Sequence, residues 1–177
     1  MSDLLDQIMV AVEARLYFLA LLGALIVPDI AGAIDQPGAG VGVRYRAWFR
    51  QWVAGHFPVF QQVLPDGQAA PLLTADDCYL FRCTLVHQAV IPSPAQHSVG
   101  RRIIFIETPV GWAVHYNALD DAVQFDVRVF CQSMVQGAKD WFADPGHSAE
   151  WTARYEALIR RHPDGLSPYV HGMPVIA

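Results

Sequence analysis

Two side chains stand out for the chemistry they offer together: Arg82 and His87, separated by four residues in R-C-T-L-V-H. Histidine titrates near neutral pH, so it can take a proton from a hydroxyl or return one to a leaving oxygen. Arginine stays charged, and its planar fork binds the oxygens of a phosphate bidentately. A base beside a fixed cation is what metal-free cleavage of a phosphodiester needs. The cation answers the negative charge that builds up on the phosphorus oxygens in the transition state. The structural alternative for Arg82 is an ion pair with Asp29 or Glu13; for His87 it is an ordinary, partly exposed histidine.

The Arg82-x4-His87 pattern resembles the defining motif of the HEPN superfamily (higher eukaryotes and prokaryotes nucleotide-binding helical domains). That motif is an arginine, four to six residues and a histidine on a late helix of a small bundle. The resemblance implies a metal-independent endoribonuclease without a cofactor, with Arg82 and His87 as its catalytic residues. It also implies a homodimer whose two motifs meet in one cleft, an RNA substrate, and a toxin–antitoxin or phage-defence setting with a cognate antitoxin as partner. Other members of that superfamily only bind. The alternative for this chain is therefore a non-catalytic helical homodimer that holds a nucleotide or a protein partner. Active members usually carry a polar residue directly after the arginine. Here that position is Cys83, and Thr84 is the nearest hydroxyl for contact with substrate.

Arg50 and His56, five residues apart, meet the same spacing, so position on the helix has to separate the two pairs. The helix carrying Arg82 is expected from Thr74 to about Val90, opened by the capping box Thr74-x-x-Asp77 and stopped before Pro92 and Pro94. At 100° per residue, Cys78, Leu85, Val86 and Ala89 fall within about 60° of Arg82, which places Arg82 in an apolar stripe. His87 falls about 140° round, towards Asp76. A buried guanidinium is costly unless paired or facing a cleft. At that angle one helix does not easily aim both side chains at one phosphate, whereas a two-fold dimer can bring both pairs to one cleft. A dimer is therefore predicted if the protein is active. Arg50 instead lies opposite Trp48 and Trp52, where water solvates it, and His56 follows Gly55, beyond the end of that helix.

The elements around this helix read mainly α. Leu4, Leu5, Ile8, Val12, Leu16 and Leu19 recur at helical spacing. The apolar run Leu16 to Val27 is shorter than the roughly twenty residues of a membrane span, so it is expected to be a core helix that ends or kinks at Pro28. A second helix, Val43 to Ala54, buries Tyr45, Trp48, Phe49 and Trp52. Arg102 to Glu107 and Trp112 to Ala118 read as a β-hairpin inserted at about 102–118. Asp120 or Asp121 begins a further helix with the stripe Val123, Val127, Phe130, Met134, Ala138 and Trp141. Asp144-Pro145 opens the last helix, to about Arg161, and the tail 163–177 has no periodicity. The expectation is a single HEPN-like helical domain over 1–177.

Composition narrows the function classes. The chain is 53% hydrophobic and 16% charged, which excludes global disorder and leaves apolar surface for a subunit interface. A net charge of -5 argues against a broad nucleic-acid-binding surface but not against one phosphate site. Cys78, Cys83 and Cys131 form no C-x-x-C and point to a reducing cytoplasm without disulfides. His97, His115, His147, His162 and His171 show no metal-ligand spacing, and no membrane contact is expected.

Overall fold

In the computed structural model the described residues are 1–57, 61–63, 69–71, 73–88, 93–96, 102–109, 117–119 and 122–177. Among them the architecture is mainly helical. Six α-helices run α1 Ser2–Glu13, α2 Tyr17–Asp35, α3 Val41–Trp52, α4 Ala75–Gln88, α5 Val127–Ala143 and α6 Ala149–Glu156. The other five all pack on α2. Its Ala20, Leu21, Ala24, Leu25, Val27, Ala31 and Ile34 are buried, while Leu16, Phe18 and Leu19 at its start are exposed. Among the described residues α2 is the one helix long and apolar enough to cross a bilayer, and half of that stretch is buried inside the fold.

The break between the first two helices falls at Arg15, not at Pro28. Arg15 adopts φ 57°. Its N–H reaches the Val12 carbonyl (3.1 Å), and the Leu16 N–H reaches that of Ala11 (2.8 Å). This is the paired closure that ends a helix on a left-handed residue, usually glycine. Pro28 instead sits buried inside α2. It forfeits one backbone bond there, and packing on both flanks keeps the helix running.

The bundle is tied at its far end by one carboxylate. Asp35, at the end of α2, accepts the indole N–H of Trp141 on α5 (2.9 Å) and that of Trp151 on α6 (2.9 Å). Close backbone approach fixes α3 against α5. A Cβ on Gly137 would stand 2.6 Å from the Trp52 carbonyl oxygen and 2.7 Å from Val53 Cγ2. Gly137→Ala would gain helix propensity worth about 1 kcal/mol but force apart two backbones that have no flexible end to yield. A net loss of about 2 kcal/mol is expected, read as a fall in Tm of roughly 4–8 °C.

The β structure differs from a simple hairpin. β1 (Gln61–Val63) pairs antiparallel with β2 (Ala69–Pro71). β3 (Arg102–Ile106) pairs in parallel with β5 (Ala122–Asp126), and β4 (Asn117–Leu119) pairs antiparallel with β5 on its other edge. The strand expected at 112–118 lies largely outside the described residues; where its end is described, it pairs with β5 and not with β3. β5 is the central strand, with both faces mostly buried, which is why it lacks clean alternation. Asp120 and Asp121 also lie outside the described residues, Val123 belongs to β5 and not to the helix, and the cap of α5 is Asp126. Its carboxylate accepts the N–H of Arg128 (2.8 Å) and of Val129 (3.3 Å).

Two further boundaries are corrected. Ser148, not Asp144, caps α6, accepting the Trp151 N–H at 3.2 Å; Asp144 closes a turn by accepting the Gly146 N–H at 3.0 Å. The tail is not irregular: β6 (Arg161–His162) pairs with β9 (Val175–Ile176), and β7 (Gly165–Leu166) with β8 (Val170–His171). Strands of two residues are too short to leave a period in the sequence.

Candidate functional site

The capping box forms as its spacing predicts. The Asp77 carboxylate accepts the Thr74 N–H (3.0 Å) and hydroxyl (2.7 Å), and the Thr74 hydroxyl accepts the Asp77 N–H (3.1 Å). That start fixes the rotation of α4. Asp77, Cys78, Phe81 and Thr84 are buried, and Phe81 meets Phe105 of β3 edge-on at 5.2 Å. The buried face therefore centres on Phe81. Arg82 lies about 100° round, at its border, rather than in the middle of an apolar stripe, and Val86 is exposed.

From that border Arg82 reaches two partners. Its Nε donates to Asp29 Oδ2 on α2. Its Nη1 lies 2.9 Å from His87 Nε2. The angular argument that one helix does not easily unite the pair is thus overturned: the arginine side chain is long enough to cross the intervening arc. Glu13 takes no part, whereas Asp29 is the acid expected of a structural pair. Arg82 keeps 19% of its side chain exposed and Asp29 12%, so the bond sits just under the surface while His87 stands outside it.

The hydrogen-bond roles follow from the atoms. A guanidinium has no acceptor, so in this contact His87 Nε2 is the acceptor. Burial would lower the pKa of Arg82, but the Asp29 carboxylate, by hydrogen bond and by charge, and Cys83 outweigh it and hold the guanidinium cationic beyond its ordinary value. Cys83 Sγ lies 4.0 Å from Arg82 Nη1. Its hydrogen bond with Tyr79, together with burial, raises the phenol's pKa. Below the line, burial pushes the Tyr45 phenol well above its usual range, and its hydroxyl donates to the Cys78 carbonyl at 3.4 Å. Asp29 Oδ1 is buried with no hydrogen-bond partner among the described residues.

Thr84 does not join this group. It is buried on the core side, and its hydroxyl donates back to the carbonyls of Leu80 (2.9 Å) and Phe81 (3.2 Å) on its own helix. A substrate contact through Thr84 is therefore withdrawn. Sequence reasoning named Asp29 and Glu13 as possible acids for Arg82; the packing of α2 on α4 selects Asp29, which supports the arginine that touches His87.

The second arginine–histidine match separates as its positions imply. Arg50 and Arg46 pair with Asp76 (3.2 and 2.5 Å), so Arg50 is an exposed ion-pair partner rather than simply solvated. His56, in a short 3-10 turn past α3, pairs with Asp140 on α5 at 2.7 Å. His147 is stacked on Trp151 at 3.5 Å. Among the described residues no three His, Cys, Asp or Glu side chains gather as a metal site would require.

A second polar cluster lies just past the C-terminal end of β3. Asp126 accepts from the Thr108 hydroxyl and from Arg128 Nη2 (2.9 Å) and Nε (3.3 Å). Burial would raise this carboxyl, but the Arg128 and Thr108 side chains and two backbone N–H groups of α5 outweigh it and hold it below its ordinary value. A carboxyl depressed on folding stabilises fully above its unfolded pKa of about 3.9, and that contribution is lost as pH falls through the folded value. Asp126→Asn keeps a capping side chain but cannot ionise. Between about pH 5 and pH 3 the urea midpoint of the wild type should therefore fall more steeply than that of Asp126→Asn.

No protein-family model, no curated protein and no solved structure matches this chain.

Proposed function

We propose that the chain is a HEPN-like helical protein that cleaves RNA without a metal, with Arg82 and His87 as its reacting pair. The observation that carries this reading is the 2.9 Å contact between Arg82 Nη1 and His87 Nε2 at an exposed edge of α4, with Asp29 behind it. A phosphate oxygen that takes Nη1 releases Nε2 with its lone pair free. His87 then removes the proton of the 2′-hydroxyl, the 2′-oxygen attacks phosphorus, and the bond to the 5′-oxygen breaks. Arg82 neutralises the charge that develops on the phosphoryl oxygens. The leaving oxygen takes its proton from a second acid, for which the His87 of a second copy is the candidate. The products are a 2′,3′-cyclic phosphate and a 5′-hydroxyl.

The second copy has a surface to use. Leu16, Phe18 and Leu19 are exposed on α2. Phe18 and Asp29 are eleven residues apart, hence within about 20° on the same face. Burying that face in a homodimer would bring two Asp29–Arg82–His87 lines towards one axis. A cytoplasmic toxin–antitoxin or phage-defence role, with an antitoxin as partner and no membrane, follows the same resemblance.

The test is incubation of the purified protein with single-stranded RNA in excess chelator, followed by analysis of the ends. Cyclic phosphate termini support the reading; intact RNA at micromolar enzyme sinks it. The non-catalytic alternative, a dimer that binds a nucleotide or protein, is favoured by one observation. Asp29 already neutralises Arg82, as it would in a purely structural pair.

A further inference from the structure

About 18 Å along α2 from Asp29, at 1.5 Å per residue from Tyr17, the surface holds a separate, half-open cavity of about 260 Å³. It is lined by Arg15, Tyr17, Glu107, Thr108, Pro109 and Arg128. Its floor is fixed: buried Thr108 donates to Asp126, and Arg128 is held by Thr108 and by both oxygens of Asp126. Its rim carries Arg15 and Glu107, both exposed, and neither side chain has a hydrogen-bond or ion-pair partner among the described residues. Arg15 is also the one described non-glycine residue at positive φ, 57°. Glycine would take that conformation without strain. The residue that breaks the helix is thus also a cationic side chain lining the cavity.

The charges select the ligand class. A bare phosphate drawn by Arg15 would also meet Glu107. A ligand with acceptors beside donors satisfies both. Among the nucleobases guanine does so: O6 and N7 accept from a guanidinium, while N1–H and the N2 amino group donate to a carboxylate. Adenine sets a donor at N6 where guanine has an acceptor and has no N1–H for Glu107. Tyr17 supplies an aromatic ring of the kind on which an unpaired base stacks.

We propose that this cavity binds a guanine base, either of a free nucleotide or of a guanosine in a single strand of RNA. Binding there needs neither Arg82 nor His87, so it stands apart from the ribonuclease reading.

The experiment is calorimetric titration of the full chain with guanosine 5′-monophosphate, adenosine 5′-monophosphate and inorganic phosphate. Two oligoribonucleotides follow, one all-adenosine and one with a single guanosine. Saturable binding of the guanosine nucleotide is expected, with the adenosine nucleotide at least about tenfold weaker, one well-made base contact's worth of discrimination. Glu107→Gln should erase that preference, and Arg15→Ala should weaken guanosine binding by about tenfold. Both side chains are exposed, so circular dichroism of either variant should match the wild type. Tighter binding of the guanosine oligonucleotide than of the mononucleotide assigns the RNA source, and the reverse assigns the free nucleotide. The proposal is overturned if both nucleotides bind alike, if inorganic phosphate competes as well as they do, or if no guanosine binding occurs at millimolar concentration.

Discussion

Replacing His87 with alanine should lower metal-independent RNA cleavage by about 10²-fold or more, the usual worth of a positioned acid–base group. The fold should be untouched. His87 is exposed on the last turns of α4, its side chain's one hydrogen bond among the described residues is to Arg82, and exposed substitutions of this kind usually stay within about 0.5 kcal/mol. Tm should therefore match the wild type while activity collapses. Arg82→Lys separates the roles further. Lysine keeps the charge but loses the fork that spans Asp29 and a phosphate, so kcat should fall with the pH profile intact. In His87→Ala the limb of the profile assigned to the base should vanish instead. Equal cleavage by wild type and His87→Ala would end the catalytic reading.

The second large effect is on stability. Asp29→Ala removes the acid from beneath Arg82 and leaves a mostly buried guanidinium without its counter-charge. Breaking such a pair from one side costs about 3–5 kcal/mol. The low end applies here because the arginine retains some exposure. A drop of about 3 kcal/mol corresponds to roughly 6–12 °C in Tm for a chain of this size. The double variant Asp29→Ala/Arg82→Met should recover most of it, since no charge is then left buried. A non-additive cycle of that sign would measure the coupling directly. If Asp29→Ala alone melts like the wild type, the bond contributes nothing, and Arg82 is held by α4 itself.

The helices were legible where burial repeats at 3.6 residues: the stripes of α1, α3 and α5, and the Thr74–Asp77 box, are written in adjacent residues. The break at Arg15 was not. A left-handed turn is signalled by glycine, and here arginine occupies it, so the proline thirteen residues on drew the boundary instead. β5 was hidden because a central strand is apolar on both faces and reads like the start of the helix that follows. At the site, spacing singled out Arg82 and His87, but their contact depended on side-chain reach, which a helical projection of backbone positions omits. Thr84 failed for a related reason. A hydroxyl near the motif in sequence had turned inward to bond its own helix.

Asp126 is the last residue of β5 and the cap of α5, with no loop between them. The junction therefore behaves as a weld. A chain that joins sheet and bundle through a flexible link can lose one and keep the other; this one has no such hinge at its central strand. Opening of β5 must pull the first turn of α5 with it, and fraying of α5 must release the edge strands. Sheet and bundle should thus exchange their amide hydrogens as one cooperative unit, and a protease should find no cut between them.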